Sequence, residues 1–225
     1  MKSPRQSAFR PWHLLLTCLG ILLFFGGEGG LRAEPRSFTV DGQASRIQVL
    51  VNREGLFALL AHDHVLVADQ ISGRIILDQA KISASEFNLR IPVNSIRVDP
   101  PKARKELDLA GELGEEDRKE IRGNMLADDQ LSAGTYSEIK AKLARINGSW
   151  PNPTLGVAIT IKDATRVINI PVKLELRGDV LETSGEFPLL QRDFGIEPYS
   201  ALLGSIAVED QVRIRFRILA RENRP

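Results

Sequence analysis

Only three histidines occur in the 225 residues, and two of them, His62 and His64, stand two apart in the stretch from Leu56 to Gly73. If that stretch is extended, both imidazoles point to one face of a sheet. They would be titratable groups flanked by Leu59, Leu60, Val65, Leu66 and Val67. Three readings follow: a polar mouth of an apolar enclosure, a weak metal site, or a strand end whose rings only satisfy nearby backbone. A tetrahedral metal site needs ligands beyond two histidines, and here carboxylate, backbone oxygen or water would have to supply them. Asp63, between the two rings, is expected on the opposite face.

Other chemistry finds little support. No Gly-x-Ser-x-Gly elbow, phosphate-binding glycine loop, dinucleotide fingerprint or His-Glu-x-x-His motif occurs, so no cofactor is expected. The remaining catalytic alternative is an enzyme, or a weak metal-binding protein, using His62 and His64. The formal net charge is +1. Lys2, Arg5, Arg10 and Arg32 against Glu28 put +3 of this in the first 33 residues, which leaves −2 for the rest. With no basic stripe, nucleic acid is excluded as a partner.

The N-terminus reads as a secretory signal: a basic start, an uncharged run from Leu14 to Phe25, then Leu31-Arg32-Ala33. The run is shorter than the roughly 20 apolar residues of a spanning helix. We therefore expect residues 1–33 to be a cleaved signal peptide and 34–225 to be one domain, with an uncleaved anchor as the alternative. Cys18, the only cysteine, lies within the signal, so the mature chain would contain neither a disulfide nor a thiolate.

Elements that could position the histidines are strands. Ile47, Val49 and Val51 alternate with polar residues or with Leu50, as do Phe87, Leu89, Ile91 and Val93 with their neighbours. Val167, Ile170, Val172, Leu174 and Leu176 largely repeat the pattern, and Val212, Ile214, Phe216 and Ile218 oppose Arg213, Arg215 and Arg217. Period two with one apolar face describes antiparallel sheet. Turn signals at Asp41-Gly42, Asn147-Gly148 and Arg177-Gly178-Asp179 separate the strands. About eight strands around one apolar face make a closed barrel or a sandwich. One charged insert, Pro100 to Ala133, places Leu107, Ile121 and Met125 at helical spacing, which predicts one or two short amphipathic helices.

Several motifs in order then carry a resemblance. Phe38-Thr39-Val40-Asp41-Gly42-Gln43-Ala44-Ser45 is similar to an aromatic-x-x-Asp-x-x-His-Ser opening, with Ala44 in place of the histidine. Ser95 to Asp99, Asp117 to Ile121, Tyr136 to Ile139, Thr160 to Thr165, Arg192 to Ile196 and Asp210-Gln211-Val212 follow in the matching order. From Phe38 onward the chain resembles the YceI-like family of exported lipid-binding proteins, polyisoprenoid-binding in its characterised branch.

The resemblance implies an all-β fold: an antiparallel, lipocalin-like closed barrel of about eight strands, in the periplasm. The expected function is a carrier for an isoprenoid, quinone or lipid tail, with no covalent chemistry and transient membrane contact. Val49, Phe57, Phe87, Phe187 and Phe194 are the expected lining, and His62, His64 and Arg192 the expected polar end. Oligomeric state is not set by the sequence.

Overall fold

The computed structural model describes residues 34–55, 62–201, 203 and 205–223. The expected signal segment and its cleavage site, and Phe57, lie outside these residues.

Fourteen strands follow one another in the described chain. They are β1 (Arg36–Val40), β2 (Arg46–Val51), β3 (Arg53–Glu54), β4 (His64–Ala68), β5 (Ser72–Leu77), β6 (Glu86–Pro92) and β7 (Arg97–Val98). After helices α1 (Pro101–Glu106) and α2 (Glu115–Leu126) come β8 (Glu138–Asn147), β9 (Thr154–Ile161), β10 (Ala164–Arg177) and β11 (Val180–Leu190). The last are β12 (Ser200–Ala201), β13 (Ile206–Val208) and β14 (Gln211–Glu222). Every pairing is antiparallel, and the order β1-β5-β6-β8-β9-β10-β11-β14 closes on itself through β1 and β14. The result is a closed eight-stranded barrel. Its edges are therefore paired, which removes the open ladder that an isolated sheet would present.

Three of the eight staves are each broken in two. β2 continues β1, pairing with β14 and β4, while β4 runs into β5, and β7 continues β6 to pair with β4. Between Val40↔Ala220 and Arg46↔Arg217 the first stave uses more residues than β14 does. Ser45 fills the missing rung: its Oγ accepts from the Leu219 amide at 2.9 Å and donates to the Leu219 carbonyl at 3.2 Å. Asp41 shapes the turn by accepting from the Ala44 amide at 3.1 Å, and together with the Arg221 guanidinium this holds its carboxyl below the usual range. Gly42 is required because a Cβ there would stand 2.3 Å from the Ile71 carbonyl oxygen of the neighbouring break.

Alternation explains the interior. Leu155, Val157, Ile159 and Ile161 of β9 and Ile170, Val172 and Leu174 of β10 are buried. Outside, Arg215 and Arg217 of β14 meet Glu186 and Glu182 of β11. One assignment needs correcting: Val167 is among the most exposed large apolar side chains, and Ile168 packs against the core instead. Residues 168, 170, 172 and 174 keep one parity, whereas 167 falls on the other.

The charged insert forms α1 and α2, as its spacing predicts. Residues 117, 120, 121, 124 and 125 of α2 share one helical face, and all line the barrel interior. The helix starts at Gly114, whose amide donates to Asp117 Oδ2 at 2.9 Å; Glu115, Glu116 and Asp117 complement its positive end. No described helix is long and apolar enough to cross a membrane.

Candidate functional site

Inward side chains leave a cavity of about 650 Å³ in the barrel. This lies within the range of about 300 to 1,000 Å³ typical of small-molecule sites. Its walls are aliphatic and come from staves all round the barrel: Val49 and Leu66, Leu89, Ala141, Val157, Val172, Leu189 and Ile214 all contribute. Polar groups gather mainly where β4 begins and α2 crosses, at His62, His64, Glu112, Asp117, Glu120 and Gln191.

His64 is the first residue of β4 and is not left to water. Its Nδ1 lies 2.7 Å from Asp99 Oδ2, and Asp99 is fully buried. The β4–β7 register brings them together: Leu66 pairs with Val98. One step further, the Asp99 amide donates to the Val65 carbonyl at 2.8 Å and the Val65 amide to Asp99 Oδ1 at 2.9 Å. A side-chain oxygen thus replaces a backbone carbonyl as the next rung. Asp99 holds φ +46 to do so, a region that non-glycine residues rarely enter.

Arg104, from α1, completes the group. Its Nη1 donates to Asp99 Oδ1 and to the Asp63 carbonyl, both at 2.8 Å, and its Nη2 to the Ala110 and Gly111 carbonyls. At 5% exposure it is a buried cation whose charge is matched by Asp99. Burial opposes ionisation of Asp99. The bonds from His64, Val65 and Arg104 outweigh it and hold the carboxyl below the usual range. An ionised carboxylate only accepts, so His64 Nδ1 carries the proton and donates. The ring's other nitrogen, Nε2, has no protein partner among the described residues.

His62 precedes β4 rather than lying in it, yet both rings line the cavity, so the expected common side is observed. Gly111 makes room for His62: a Cβ there would stand 2.9 Å from the ring, and the residue has φ +80. Asp63 turns elsewhere, accepting from the Arg53 amide at 2.9 Å. Among the described residues, no group of three or more metal-ligating side chains occurs.

The chain matches the YceI-like domain model over residues 38–220. It belongs to the YceI-like family. Solved structures agree on the fold. BcnA of Burkholderia cenocepacia superposes with a TM-score of 0.61 at 18% identity, covering 80% of this chain and 98% of that one. A polyisoprenoid binding domain from Saccharophagus degradans gives 0.57 at 14% identity, over 84% and 99%. The Campylobacter jejuni YCEI protein gives 0.52 at 11%, over 70% and 84%. No curated protein matches the chain.

Within this YceI-like barrel Val49, Phe87, Phe187, His62 and His64 line the cavity. Arg192 and Phe194 do not. Arg192 sits at the surface, bonded to Glu197 at 3.1 Å, and Phe194 is buried in the core from a 3-10 turn. A turn between β11 and β12 has no inward periodicity, so motif position alone could not show which way either residue faced. No sequence pattern pairs Asp99 or Arg104 with His64. The hint was Asp99 before Pro100-Pro101, at the end of a short strand, but only the β4–β7 register makes it a neighbour.

Proposed function

We propose that the protein is an exported carrier that encloses a long apolar amphiphile, an isoprenoid, quinone or lipid tail, in its barrel. The single observation that carries this reading is the aliphatic cavity with a polar group at one end. β14 has 12 residues; at about 3.4 Å per residue and a tilt of about 40° this gives a barrel roughly 30 Å deep, long enough for an extended chain. Burial contributes about 25 cal/mol per Å² of apolar surface, so a partly enclosed tail gains several kcal/mol, at order of magnitude, before ordering costs. The Saccharophagus degradans relative is described as polyisoprenoid binding, in keeping with this reading. Export, with the periplasm as destination, rests on the basic start and short uncharged run of residues 1–33.

Native mass spectrometry of protein purified from the exported fraction, followed by organic extraction, tests the proposal. A stoichiometric lipid-like adduct is expected. Protein that is empty in every preparation, and that takes up no isoprenoid from solution, would defeat it.

The His64–Asp99 bond favours one second reading, general-base chemistry at the polar end. Hydrolysis of a lipid ester by purified protein, lost in His64→Asn, would support that reading over a pure carrier.

A further inference from the structure

The polar end has a feature that a merely apolar container does not need. His64 is held from behind by a fully buried carboxylate, which is itself held by a buried arginine. Asp99 fixes the tautomer, so the neutral ring has the proton on Nδ1 and a lone pair on Nε2, the nitrogen without a protein partner among the described residues. The His64 side chain is 18% exposed and borders the cavity. An acceptor held in one orientation at the end of an apolar chamber suits a hydrogen-bond donor on the occupant.

The charge around it points the same way. At this end the described lining contains the carboxylates Glu112, Asp117 and Glu120, with Glu86 at the other end of the barrel, and the whole described lining holds no lysine or arginine. Arg104 is engaged with Asp99, Arg53 with Asp63, Arg118 with the Leu113 carbonyl, Lys162 with the Gly195 carbonyl and Arg192 with Glu197. A phosphate or carboxylate head would lose its hydration and face the carboxylates of Glu112, Asp117 and Glu120 with no lysine or arginine in the described lining.

We propose that His64, oriented by Asp99, is the head-group anchor of the barrel. It selects a head that donates a hydrogen bond and carries no negative charge, a hydroxyl or an amine. This inference rests on the carrier reading and specifies which amphiphiles the carrier takes.

Geranylgeraniol, its methyl ether, geranylgeranylamine and geranylgeranyl phosphate share one tail and differ only at the head. Titrated into the full-length protein as purified, the alcohol and amine should bind roughly tenfold more tightly than the ether, the yield of one hydrogen bond. The phosphate should bind no better than the ether. His64→Asn keeps a donor near the Nδ1 position and removes Nε2. It should bring alcohol and ether to equal affinity, and His64→Gln, which retains a polar atom near Nε2, should recover part of the preference. Phosphate binding as tight as alcohol binding, or an unchanged alcohol-to-ether ratio in folded His64→Asn, overturns the anchor. If His64→Asn does not fold, the wild-type ligand series still decides. Equal binding of all four sinks the anchor and leaves the carrier standing; binding of none sinks the carrier itself.

Discussion

Asp99 is the residue on which most at the polar end converges. It takes an unfavourable backbone conformation, is completely buried, and accepts from His64, Val65 and Arg104. Removing one member of a buried charged pair leaves the other unpaired, at a cost of about 3 to 5 kcal/mol. Asp99→Asn should lower unfolding stability by that order in urea denaturation, because Arg104 loses its counter-charge and the new amide sets donor against donor. The pH dependence follows from the direction of the Asp99 shift. Its native pKa lies below its unfolded value of about 3.9, so its contribution is fully present above that value. As pH falls through the native pKa the unfolded state has already bound its proton, and the contribution is lost. Melting temperature should therefore stay level on this account above about pH 5 and fall below about pH 4. Asp99→Asn should show a shallower acid slope.

At the scale of elements, the broken staves distinguish this barrel from eight uninterrupted strands. The first break depends on contact between two turns, with Gly42 against the Ile71 carbonyl. Gly42→Ala should cost about 1 to 3 kcal/mol through the backbone shift it forces, seen as a lower urea midpoint with an unchanged slope. Gly134→Ala is the control, since a Cβ there meets nothing within 4 Å. It should change stability by less than about 0.5 kcal/mol. The breaks were poorly legible beforehand, because a residue such as Ile47 alternates in or out whether its stave is whole or kinked. The helical insert was legible from Ile121 and Met125, whose spacing needs no tertiary context. Val167 shows the limit of such patterning: an apolar side chain one residue out of phase looks like part of the inward row until the register with β9 is known.

For the molecule as a whole, the cavity is the quantity to perturb. Val49 lines it from β2 and pairs with Ile214 and Leu66 across the ladder. Val49→Trp should fill part of the chamber, lower uptake of a fluorescent isoprenoid analogue more than tenfold, and leave stability within about 1 to 2 kcal/mol, since the added volume enters open space. Unchanged uptake by a folded variant would count heavily against an occupied barrel. Export is tested separately. N-terminal sequencing of the mature protein should begin at Glu34, whereas a start at Met1 in the membrane fraction would make the segment an anchor.

The sequence by itself determined the all-β class, the helical insert and the inward rows of Val49, Phe87 and Ile214, because strand and helix periodicity are local properties of the chain. Family membership was legible for a related reason: motifs from Phe38 to Val212 lie in linear order. It also placed His62 and His64 on one side. Tertiary structure alone decided that the sheet closes and leaves a chamber, since closure depends on strand stagger and vacancy on the summed side-chain volumes around the ring. It alone turned Arg192 to the surface and Phe194 into the core. And it alone joined His64 to Asp99, 35 positions away, and Arg104 to the Asp63 carbonyl, 41 positions away, because these become hydrogen-bonded neighbours only through the pairing of β4 with β7 and the return of α1 against that edge.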